Sequence, residues 1–145
     1  SIALRSEGNV IVANELLSDN QTIHQNRTDF IQLMRVCYKK DVLPMFDWSE
    51  KLASYGKDEQ KDFLAYALFM VRQSIMKNYT NGDLMRASQE EIAFLDKFAR
   101  FITNNNILPF TQLFNDAIYH LDRNANPKLL FTNITFEVMR YIHKA

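Results

Sequence analysis

Three histidines, one cysteine and a short acidic cluster are the side chains of this chain best suited to chemistry. His24, His120 and His143 could ligate zinc or move protons, but a helical zinc site needs ligands one turn apart. No His here has a second His at i+4. Cys37 continues the apolar spacing of Phe30 and Met34, which predicts a core thiol and not a thiolate nucleophile. Glu90, Glu91 and Asp96 fit the solvated start of a helix, which the macrodipole favours, better than an acid–base pair. No G-x-x-x-x-G-K-[ST] or G-x-G-x-x-G run is present to cradle a phosphate. Sequons begin at Asn20, Asn26, Asn78 and Asn133, and an Asn- and Thr-rich chain produces such triplets by chance. The residues therefore point to no catalytic, metal or cofactor site in this segment, and to no enzyme.

Two features suggest binding instead. Phe46, Trp48 and Tyr55 could form an aromatic surface, although packing of one bundle corner explains them more simply. The stretch from Asn124 to Ile142 is sharper. Asn126 can cap a helix whose first residue is Pro127, a position where the missing N–H costs nothing. At 100° per residue, Pro127, Leu130, Phe131, Ile134, Val138, Tyr141 and Ile142 share one broad face. Leu129, Thr132, Phe136, Met139 and His143 form a second stripe at i, i+3, i+7, i+10, i+14, the seam spacing of a helix partner. Such a helix either lies at the centre of a bundle or presents a subunit interface, and periodicity alone fits both.

The elements that must position these residues are helices. The 145 residues suffice for one domain with a real core; 47% are hydrophobic, and only three Gly and three Pro interrupt them. Acids and bases balance at 17 each, which gives no broad electrostatic case for nucleic acid or lipid. No apolar run approaches the roughly 20 residues of a membrane helix, and no signal-peptide pattern appears. A lone cysteine excludes an internal disulfide, so a cytoplasmic location is expected.

Along the chain, Val10 to Leu17 predicts a brief amphipathic helix. The polar run Ser18 to Thr28 predicts a connection and a domain boundary. Phe30, Leu33, Met34, Cys37 and Tyr38 mark one helix face. Pro44 to Tyr55 predicts a helix closed by Gly56, and Asp58 to Tyr79 a longer one. "TNGD" predicts a turn, and Ser88 with Glu91 a capping box for a helix carrying Ile92, Leu95, Ala99 and Ile102. Pro109 opens the next helix, and the segment from Pro127 is the last. The expected fold is an all-α bundle of about six helices joined by short connections.

Two stretches, "RVCYKKDVLPMFDWSEKLASYGKDEQKDFLAYALFMVRQSI" and "HLDRNANPKLLFTNITFEVMRYI", resemble the C-terminal region of the delta-prime family of bacterial clamp-loader subunits of DNA polymerase III. The run of Asn124, Asn126, Pro127, Lys128, Leu129, Leu130 and Phe131 is similar to the start of the final collar helix in that family and in the related gamma/tau family. "LRSEGNVIVANELL" resembles the last helix of the lid of their ATPase module. The resemblance implies that residues 1–18 end the lid and residues 19–145 form a clamp-loader collar domain. It also implies that the chain is a fragment without its ATPase module, as the abrupt start without Met suggests. Its partners would be the gamma/tau and delta subunits, met through the collar during clamp loading in DNA replication. The helical projection nominates Leu129, Thr132, Phe136, Met139 and His143 for that interface, and Asn124, Asn126 and Pro127 for the helix start. No specific DNA binding is expected of the fragment, whereas self-association through an exposed apolar face is. The other readings are a gamma/tau collar and a free-standing helical domain holding a small molecule.

Overall fold

The computed structural model describes residues 10–80 and 89–145, with the side chains of 21–77, 89 and 92–145. Among these residues the chain is all-helical, with no strand. In chain order the six helices are α1 (Val10–Lys39), α2 (Val42–Ala53), α3 (Lys57–Thr80), α4 (Gln89–Phe98), α5 (Ile107–Asp122) and α6 (Pro127–Ile142). A 3₁₀ turn, Ala99–Phe101, continues α4. The "TNGD" turn and the pairing of Ser88 with Glu91 lie outside the described residues.

The largest departure from expectation is α1. Instead of a short helix, a connection and a second helix, one helix runs through Ser18 to Thr28. That segment is polar but contains neither Gly nor Pro, so nothing in it breaks a helix. Its polar groups bond within the helix: Thr28 Oγ1 donates to the His24 carbonyl at 3.0 Å, and Gln25 Nε2 donates to Asp29 Oδ1 at 3.1 Å. The helix stops at Lys40, which takes a left-handed φ of 56° and lets the Asp41 amide return to the Val36 carbonyl at 3.1 Å.

The remaining boundaries follow local chemistry. Helix α2 begins two residues before Pro44, which sits in the first turn where no amide partner is lost. Its C-terminus is closed from a distance: Gln60 Nε2, on α3, donates to the carbonyls of Leu52, Ala53 and Tyr55 at 3.0–3.3 Å. Pro109 likewise falls in the first turn of α5. Asn126 caps α6 by accepting from the Leu129 amide at 3.1 Å, with Pro127 as the first helical residue.

The core sits where α6 meets α1, α2 and α5, and where α3 meets α5 and α1. Phe63, Phe110, Phe114 and Phe131 are all fully buried, and Trp48 packs edge-on against both Phe63 and Phe131. Burial of aromatics of this size supplies a large share of the stability, with loss of one to alanine costing about 3–5 kcal/mol. Cys37 is part of this core. Its thiol donates to the Thr135 carbonyl at 3.2 Å and joins α1 to α6.

Candidate functional site

Helices α2 and α6 run antiparallel. Lys128 Nζ reaches Glu50 Oε1 at 3.4 Å, and farther along the pair the rings of Phe136 and Phe46 meet edge-to-face at 6.0 Å. Number rises on one helix as it falls on the other. Of the broad stripe read from the sequence, Phe131, Ile134, Val138 and Ile142 are buried and Pro127, Leu130 and Tyr141 half-buried; Thr135, which lay outside it, is buried as well.

The second stripe does not behave as a unit. Phe136 and Met139 are half-buried and pack against the core, and Thr132 is also half-buried. Helix α2 of the same chain therefore takes up part of the face nominated for a partner. Leu129 is 71% exposed, and His143 is exposed with its ring stacked on Tyr38 at 5.8 Å. Across the seam, α2 contributes Val42, Phe46 and above all Leu43, which is 76% exposed. The exposed apolar side chains of this helix pair are thus Val42, Leu43 and Phe46 on α2 and Leu129 on α6, with Phe136 half-buried against Phe46 between the two helices. Leu43 went unnoticed in the sequence because it stands one residue before a proline at a helix start and joins no long periodic stripe.

The helix-start residues separate in role. Asn126 and Pro127 start α6 as described. Asn124 instead terminates α5: its φ is 64°, its amide donates to the Leu121 carbonyl at 3.0 Å, and its Oδ1 accepts from Lys57 Nζ at 3.2 Å. Asparagine tolerates the left-handed region better than most residues because its short amide bonds locally. Trp48 is buried and donates its indole N–H to the Asp29 carbonyl at 3.0 Å, so it belongs to the bundle corner and not to a surface.

Asp116, His120, Glu137 and Tyr141 line one groove between α5 and α6, whereas Cys37 lies in the core. Burial pushes the Cys37 thiol up to about 12, the opposite of an activated nucleophile. Burial, and then a hydrogen bond with Glu137, raise the Tyr141 phenol above its usual range. No group of three His, Cys, Asp or Glu side chains suited to a metal ion occurs among the described residues. A groove of about 570 Å³ separates α5 from α6, and its exposed lining residues Leu108, Asp116 and His120 leave it open to solvent. No described helix is long and apolar enough to cross a membrane.

One cluster escaped the sequence reading altogether. Arg35 and Lys39 on α1 line the same depression as Lys97 on α4 and Arg100 on the 3₁₀ turn. The i, i+4 and i, i+3 spacings were visible, but their convergence depends on how α1 and α4 pack. The chain matches no protein-family model, no curated protein and no solved structure.

Proposed function

We propose that the chain is an assembly domain, the collar of a delta-prime-type clamp-loader subunit of DNA polymerase III, and that it docks through the α2–α6 face onto a neighbouring collar. The resemblance of Arg35 to Ile75 and of His120 to Ile142 to the delta-prime family supplies the family. One structural observation supports the docking role. Leu43 and Leu129, 76% and 71% exposed, stand on α2 and α6, the two helices that meet at the Phe46–Phe136 ring contact. Exposed large aliphatic side chains on one helix pair gain free energy by burial against a second surface. The role is mechanical: the domain fixes which subunit sits beside which while ATPase modules elsewhere do work on the clamp. Catalysis, cofactors and membrane contact have no part in this reading, and the location it implies is the cytoplasm.

Light scattering after gel filtration tests the proposal, on the chain alone and mixed with the collar region of the gamma/tau subunit of its own organism. A defined mixed complex that is lost in Leu129→Asp and in Leu43→Asp is the expected result. A chain that pairs instead with the matching delta-prime collar would be a gamma/tau collar. A chain that stays monomeric in every mixture, as the full-length subunit too, is not a collar.

A further inference from the structure

The depression between α1 and α4, about 240 Å³ in volume, has a cationic rim and an apolar floor. Arg35, Lys39, Lys97 and Arg100 supply the rim, and none of the four is ion-paired among the described residues. Asp96, the acid nearest in sequence, is held by Lys77. A chain with 17 acids and 17 bases has thus gathered four cations around one hole, with no acidic residue among its described lining. Mutual repulsion among like charges is unfavourable, and an anionic occupant would relieve it. The floor contains Met34, Phe98 and Ile142, each nearly closed to solvent and carbon- or sulfur-lined.

Stacking decides between occupants. A nucleic-acid base needs an uncovered ring face. Here Phe94 and Phe98 stack on each other at 5.2 Å, His143 stacks on Tyr38, and the Arg100 guanidinium lies 4.8 Å from the centre of Phe101. Each contact covers one ring face; Phe94, Phe98 and Phe101 are half-buried or buried, and only Tyr38 at the edge, 51% exposed, keeps much open ring surface. One open ring beside an apolar hole is no row of platforms for successive bases. A hole of this kind accepts one large apolar side chain, and its rim accepts carboxylates. We propose that the groove binds an acidic peptide segment bearing a single large apolar residue, which inserts between α1 and α4 while flanking Asp or Glu side chains meet the four cations. The groove borders the α2–α6 face at the Tyr38–His143 stack, but Lys97 and Arg100 lie on other elements, so its test is independent of the assembly reading.

Fluorescence anisotropy on the full chain uses a labelled peptide with a central Phe between runs of Asp. The same peptide with alanine in place of its Phe, and labelled oligothymidylate, serve for comparison. The expected result is micromolar binding of the Phe peptide, weakened about tenfold or more by loss of its ring, by Lys97→Glu/Arg100→Glu and by added salt. Both substituted residues are exposed, and circular dichroism checks the fold; should that variant lose helix, Arg35→Glu decides from the α1 side. Absence of peptide binding, or binding indifferent to the charge reversals, overturns the proposal. Tighter binding of oligothymidylate than of the peptide also overturns it and makes the groove a nucleic-acid contact.

Discussion

The Tyr55 hydroxyl donates to Asp29 Oδ2 at 2.8 Å, across the corner where α1 meets the end of α2. Asp29 is fully buried, and its other carboxylate oxygen takes Lys51 Nζ at 2.8 Å and Gln25 Nε2 at 3.1 Å. A buried carboxylate is tolerable only with this many donors. Burial, followed by the bond and charge of Asp29, raises the Tyr55 phenol well above its usual range. Tyr55→Phe is expected to cost about 1.5 kcal/mol, and Asp29→Ala about 3 kcal/mol because it removes three bonds together. Urea unfolding followed by the fluorescence of Trp48, the sole tryptophan, measures both. Equal costs for the two would mean that Lys51 and Gln25 contribute nothing.

Asn106 should prove as important as any core aromatic. It is 1% exposed, donates from Nδ2 to the carbonyls of Phe101 at 2.7 Å and Tyr141 at 2.9 Å, and accepts from the Thr103 amide at 2.8 Å. Asn106→Ala strands all three backbone groups, for an expected loss of about 3 kcal/mol. Asn106→Asp keeps the acceptor but removes both donors and should lose a similar amount. A loss below 1 kcal/mol by either would show that water replaces the amide.

Cys37 links the core to pH. An ordinary thiol titrates near 9.0, and burial holds this one near 12. Between those values the unfolded chain sheds the proton and the folded chain keeps it. Stability from this group is therefore complete below pH 9 and falls as pH rises toward 12. Cys37→Ala should flatten that part of the curve, and iodoacetamide at pH 8 should modify the native thiol far more slowly than the denatured one. An alkaline slope unchanged in the variant would assign the loss to other groups, with Tyr55 the foremost.

Leu129 and Phe136 should separate stability from association. Leu129→Asp alters a residue 71% exposed and is expected to shift unfolding by no more than about 0.5 kcal/mol. Phe136→Asp places a charge against Phe46 and the core and should cost about 2 kcal/mol or more. Thermal melts of both variants check the contrast. A severe loss in Leu129→Asp would show that the residue is covered in solution.

These contrasts show which features were legible beforehand. The apolar periods of α3, α5 and α6 could be read directly, because one buried face repeats every 3.6 residues. Asn126 with Pro127 was legible for the same local reason. The continuity of α1 was not, since polarity was read as a break although polar side chains bond readily within a helix. Asn106 and Gln60 carry no local signal: each bonds carbonyls outside its own helix, in one case 35 residues away. The division of the second α6 stripe depended on where α2 lies, and the basic groove on where α4 lies. Neither position is encoded in any short window.

The bond from Cys37 to the Thr135 carbonyl spans 98 residues. At about 5–20 residues per second, a ribosome needs many seconds to supply the second partner after the first. During that interval α1 and α2 have emerged with Cys37, Met45 and Trp48 lacking the helix that covers them. Local helices form fast, so closure of this bundle waits on synthesis and on a distant contact. A nascent chain of this protein should thus bind holdase chaperones through the α1–α2 hairpin and be released once Phe131 and Val138 are in place.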